Sequence, residues 1–109
     1  ATGCIAAIAD DHEVVAVAGA PKKQFVEKRL SEQAEEIMKS RETLVSNVPN
    51  ENPVVDNAQF ESQVMAPIHA GDEPQGLVVL MSKEPRQMGS TETKLVETAA
   101  AFLGKQLLQ

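Results

Sequence analysis

Helical spacing over the last eighteen residues, ETKLVETAAAFLGKQLLQ, places the tightest limit on the fold. At about 100° per residue, Leu95, Val96, Ala99, Ala100, Phe102, Leu103 and Leu107 share one arc of about 160°, broader than the ~100° stripe of a surface helix. Glu92 and Gln106 interrupt that arc. Lys94, Glu97, Lys105 and Gln109 lie opposite, together with Ala101 and Leu108. An arc this wide can meet two partners. One is a sheet; the other is a second helix, approaching over the small residues Ala100 and Gly104. Gly104 costs about 1 kcal/mol in a helix interior relative to Ala, so a packing reason is expected for it. In the plainer alternative, the whole arc covers the sheet. The candidate contacts between copies, in a homodimer or homotetramer, are Val96, Ala100, Phe102, Leu103, Gly104 and Leu107.

Upstream, the chain reads as strands around a helical insert. CIAAIA (4–9) and EVVAVAGAP (13–21) are apolar runs around a polar turn, which predicts an antiparallel hairpin. Neither run alternates cleanly, so both strands are expected to be covered on both faces. Residues 22–28 and 31–41 repeat at helical spacing, and Ser31 stands where an N-cap belongs. TLVSNV (43–48) predicts a third strand. PNENPVVDNAQ (49–59) predicts a long loop, of the kind that often binds something. SQVMAPIHA (62–70) and QGLVVLMSK (75–83) predict two more strands, with Pro67 at an edge or a bulge. Ser90 or Thr91 is the expected cap of the last helix. The order is strand, strand, helix, helix, strand, loop, strand, strand, helix. This predicts an α+β fold with a five-stranded antiparallel sheet.

A chain of 109 residues fits one domain, 1–109. Aromatics make up 3% of it, so the core must come from Val, Ile, Leu, Ala and Met. The net charge of −6 repels phosphate backbones, and no nucleic acid binding is expected of this chain by itself. No apolar run is long enough for a membrane span, and no signal peptide is apparent. A single cysteine, Cys4, fits a reducing cytoplasm. The start without Met, directly in a strand-like run, gives the expectation of a piece of a longer protein.

Catalytic chemistry is poorly represented. Cys4 has no basic neighbour in sequence, and burial in its apolar run would leave it inert. His12 and His69 lack metal-ligand spacing, and no metal site is expected. Haem ligation by His69 competes with the plainer reading of a solvated histidine. The acidic and amide residues of DDHE and NENP suit turn chemistry better than metal binding.

Two stretches carry a family resemblance. APIHAGDEPQGLVVL (66–80) resembles the hairpin of GAF domains: a Pro–aliphatic pair, a Gly-containing turn, then Gly before an apolar strand. MGSTETKLVETAAAFLGKQLLQ, with GAPKKQFVEKRLSEQAEEIM upstream, is similar to the C-terminal regulatory domains of the stage V sporulation protein T family of AbrB-type transcription regulators. The resemblance implies a GAF-like (profilin-like) fold, with helices on both faces of the sheet. It also implies that a DNA-binding domain and a first helix precede this chain in the whole protein. In that family the missing helix and the C-terminal helix join subunits in helical bundles.

The resemblance further places a small-molecule pocket between the sheet and the segments crossing it. The candidate polar groups there are Arg41, Ser46, Asn47, Asn57 and Gln63. Arg41 suits a carboxylate or phosphate, but the plainer and favoured reading is a cation answering the dipole at a helix C-terminus. No cofactor is expected. A bilin-binding loop cysteine and a cyclic-nucleotide signature are both missing, and one cysteine lacks the resolving partner that a sulfoxide reductase needs. The expectation is a non-catalytic regulatory and oligomerisation domain. The alternatives are a stand-alone small-molecule sensor and a methionine-sulfoxide-reductase-like enzyme.

Overall fold

The computed structural model describes residues 3–107; Leu108 and Gln109 lie outside the described residues. Strands β1 (Cys4–Ala9), β2 (Val14–Ala18), β3 (Leu44–Ser46), β4 (Ser62–Ala70) and β5 (Glu73–Ser82) form one antiparallel sheet. Their order is β2-β1-β5-β4-β3. The two hairpins are joined by β5, which pairs with β1 from Cys4↔Ser82 to Ala9↔Leu77. Helix α1 (Glu32–Ser40) lies on one face and α2 (Ser90–Leu107) on the other. The expected five-stranded antiparallel sheet with helices on both faces is thus borne out.

The face under α1 holds the larger core. Ile5, Ala7 and Ala9 of β1 meet Met65, Leu77, Val79 and Met81 there, under Ala34 and Met38 of α1. The face under α2 is smaller: Val64, Ala66, Ile68 and Val78 pack against Val96, Ala100 and Met88.

Local rules account for most ends. Ser31 Oγ accepts from the Ala34 N–H at 3.0 Å, the expected N-cap. Helix α1 stops one residue short of the expected end because Arg41 turns left-handed at φ 66. The expected helix at 22–28 is a single 3-10 turn, Lys22–Gln24. It stops because the chain pairs back onto the first hairpin. Glu27 N–H donates to the Val14 carbonyl and Val14 N–H to the Lys28 carbonyl, which draws Glu27 to φ 69.

The third strand is shorter than expected, at three residues. Pro67 lies in β4 beyond the β3 ladder, where only β5 pairs with it, next to the irregularity at Ile68/His69. Neither Ser90 nor Thr91 caps α2. Glu92 reaches back instead, accepting from the Gly89 N–H at 2.8 Å.

The 49–59 loop is built rather than loose. Asn50, Asn52 and Asn57 all take positive φ, which Asn tolerates best among residues with a side chain. Val54, Val55 and Phe60 are buried in the core of the α1 face. Asp10 shows the expected turn chemistry, its carboxylate accepting from the N–H groups of His12 and Glu13.

One expectation fails in an informative way. The first two strands are covered on one face only. Helix α2 packs over β4 and β5, so Ala6, Ala16 and Ala18 are exposed on its side of the sheet, and Cys4 and Ile8 are half-buried.

Candidate functional site

Two surfaces stand out. The first is a cleft of about 380 Å³ at the end of the sheet where β1 begins and β5 ends. Its floor is apolar: Ile5, Phe25 and Val55, all buried. One wall runs from the end of the 3-10 turn into the segment after it, with Gln24 and Lys28. The other is the loop, with Asp56, Asn57 and Gln59, and Lys83 closes the strand end. Backbone pairing with the first hairpin positions Lys28, and a left-handed turn at Asn57 (φ 70) shapes the opposite wall.

The polar residues expected at one ligand site are scattered. Only Asn57 lines this cleft. Ser46 and Gln63 are cross-strand partners under the loop, both buried. The Gln63 amide donates to the Glu51 and Asn52 carbonyls at 3.0 and 2.6 Å, so it fastens the loop rather than a ligand. Gln63 Oε1 and Ser46 Oγ are buried without a partner among the described residues. Asn47 makes a two-point clamp to the Met88 backbone, at 3.2 and 2.8 Å.

Arg41 belongs to a different, shallower pocket of about 260 Å³, with Thr43, His69 and Glu97. It lies 3.9 Å from Asp72. There Thr43 Oγ1 donates to Glu97. His69 is not simply solvated: its Nε2 is buried without a partner among the described residues. Burial, with a smaller contribution from Arg41, holds its pKa below the ordinary imidazole value.

Sequence reasoning missed Lys28, Lys83 and Phe25 at the cleft. The basic run KKQFVEKR in an acidic chain was the available signal for Lys28 and Phe25. Cys4 also departs from expectation. It is half-buried, and Arg86 Nη1 lies 3.4 Å from its sulfur while Nη2 of the same guanidinium holds Glu92 at 3.0 Å.

The second surface is the half-sheet that α2 leaves bare. Val96, Ala100 and Gly104, expected at an interface between copies, are buried against the chain's own sheet instead. Leu95 is 60% exposed, Phe102 61% and Leu107 55%. Leu103, Gln106 and Leu107 border a groove of about 280 Å³ with Ile8 and Val15. The other side of the helix, with Glu97 and Ala101, faces the Arg41 pocket. On the groove side of α2, Ala99 and Leu103 are half-buried against the sheet, and Leu95 and Phe102 lie exposed beyond them.

Among the described residues, no helix is long and apolar enough to cross a membrane. Nor do those residues contain a cluster of three or more His, Cys, Asp or Glu suited to a metal ion.

Comparison with known proteins gives concordant matches. The family described as stage V sporulation protein T C-terminal, transcription factor, matches residues 1–108. Stage V sporulation protein T of Bacillus subtilis (strain 168) is 36% identical over 104 residues. The match takes in 94% of this chain and 58% of that protein, so the chain spans little more than half of its curated relative. Among solved structures, the GAF domain of a phosphoenolpyruvate-protein phosphotransferase from Coxiella burnetii superposes with a TM-score of 0.75 at 17% identity, over 94% of this chain and 70% of that one. A red/green cyanobacteriochrome in its red light-absorbing state gives 0.69 at 18% identity, over 96% and 82%. At such identities the likeness is one of fold, and the fold is GAF.

Proposed function

The chain belongs to the stage V sporulation protein T C-terminal family of transcription-factor domains, and from that premise we propose a non-catalytic regulatory domain that holds copies of a longer regulator together. The bare half-sheet beside the Leu95–Phe102 stripe carries this reading. Its apolar border is formed by Ile8, Val15, Leu103 and Leu107, next to the exposed Ala6, Ala16 and Ala18 of β1 and β2. Fully burying a Leu or Phe side chain contributes about 1.5–3 kcal/mol, so covering this stripe in each of two copies supports a stable dimer. The occupant is a helix of a neighbouring copy, from the part of the regulator that lies outside this chain.

Regulation then has two parts. The cleft at Phe25 and Lys28 senses a small molecule. The assembly transmits its occupancy to DNA-binding domains N-terminal to this chain, in the cytoplasm. This acidic domain contributes geometry rather than phosphate contacts. The test is a gel shift with the full-length regulator. Phe102→Glu is expected to weaken operator binding at least tenfold, since half-sites are read by a dimer, while the isolated chain stays folded. Unchanged operator affinity with a dissociated variant would show that assembly is not what the domain supplies.

A further inference from the structure

Resting on the sensing reading just given, we propose that the ligand of the cleft is a small organic carboxylate, its apolar body on Ile5, Phe25 and Val55 and its carboxylate at Lys28 and Lys83.

Charge is the first argument. The chain carries 16 acidic and 10 basic side chains, yet this cleft is lined by two lysines against one carboxylate, Asp56. Lys22, Lys23 and Arg29 extend the basic character along the same segment. In a domain whose overall field repels anions, a local reversal of sign at a concave site selects an anion of short reach.

Shape is the second. Ile5, Phe25 and Val55 are buried within the core of the α1 face and also form the floor of the cleft. These side chains are 1%, 5% and 2% exposed, so the apolar strip they offer is narrow and suits a slim hydrocarbon body. The volume of about 380 Å³ lies near the lower end of ligand pockets, which excludes a dinucleotide or a peptide. The amides of Gln24, Asn57 and Gln59 on the walls can each donate or accept, and suit further polar groups of the ligand.

Backbone geometry is the third. Two residues with side chains take left-handed backbone at this cleft, Glu27 beside Lys28 and Asn57 on the facing wall. Glu has no intrinsic preference for that conformation, and residues held there concentrate at ligand clamps. The turn at Glu27 ends the helix that the sequence favours, and Lys28, next to it, lines the cleft.

The test uses the 109-residue chain and five probes: hexanoate, phenylacetate, their neutral amides hexanamide and phenylacetamide, and inorganic phosphate. Binding is followed by thermal shift and by amide resonances of residues 24–28 and 55–59. Both carboxylates are expected to bind, the amides and phosphate at least about tenfold more weakly. The double variant Lys28→Gln/Lys83→Gln is expected to lose about three- to tenfold in carboxylate affinity with its fold unchanged, and high salt to weaken binding in the wild type. If amides bind as tightly as acids, or if the double variant binds carboxylates equally well, the ligand class is wrong while sensing survives. Phosphate binding as tightly as hexanoate would overturn the role of the apolar floor. Silence towards every carboxylate overturns the proposal, and silence towards a broader neutral and cationic panel as well overturns sensing itself.

Discussion

Gly104 of α2 lies so close to His69 of β4 that a Cβ added to it would sit 2.1 Å from the His69 carbonyl oxygen. This contact sets how deeply α2 seats on the sheet. It also explains a glycine that the helix would otherwise disfavour. Gly104→Ala gains about 1 kcal/mol of helix propensity, but overpacking against backbone costs more. The expected net loss is up to about 2 kcal/mol, read as a lower urea midpoint at unchanged slope.

The Ser31 hydroxyl does two tasks, accepting from the Ala34 N–H and donating to the Pro53 carbonyl at 2.6 Å. It joins the start of α1 to the loop that walls the cleft. Ser31→Ala is expected to cost about 1–3 kcal/mol. Hydrogen exchange at residues 52–58 should quicken more than exchange in β4. Equal acceleration everywhere would mean that the hydroxyl serves only global stability.

Glu27 at φ 69 stores strain in the wall that carries Lys28. Left-handed backbone costs an L-residue about 1–2 kcal/mol, and glycine's extra unfolded freedom returns about 0.5–1 kcal/mol of that. Glu27→Gly is therefore expected to be neutral or stabilising by up to about 1 kcal/mol, measured by denaturant unfolding. Glu27→Ala should not share the gain.

His69 makes stability pH-dependent. Its pKa is lowered in the folded state, by burial first and Arg41 second. Above its ordinary value of 6.5 both states are neutral there and nothing is gained or lost. As pH falls below that value, the unfolded chain takes up a proton that folded His69 refuses, so stability falls. Between about pH 7.5 and about pH 5.5 the wild type should lose more stability than His69→Asn, compared by urea midpoints. Equal losses would place the titration elsewhere.

Where periodicity or a cap governs, the sequence was legible. Ser31 heading α1, the two hairpins and the long apolar helix follow from local rules, and so does the antiparallel α+β class. What failed depends on partners distant in sequence. Residues 25–28 leave the helix because Val14 pairs with Lys28 and Glu27. Ser46 and Gln63 looked like ligand groups, but Val54 and Val55 of the loop fill the space above the sheet there. Lys83 reaches the cleft only because β5 sits beside β1. The breadth of the apolar arc was readable from spacing alone. Which part of it meets the sheet was not, because Ala100 and Gly104 are equally suited to a strand surface and to a crossing helix.

The central claim is that the outer flank of α2 and the bare half-sheet beside it exist to be covered by another helix. Sedimentation velocity of the full-length regulator and its Leu95→Glu/Phe102→Glu variant tests this most directly. Both residues are exposed in the single chain, so the variant's fold should change by no more than about 0.5 kcal/mol. The account predicts a dimer or larger for the wild type, and a marked shift toward smaller species for the variant at equal concentration. A variant that sediments as the wild type does, with its unfolding midpoint unchanged, would contradict it.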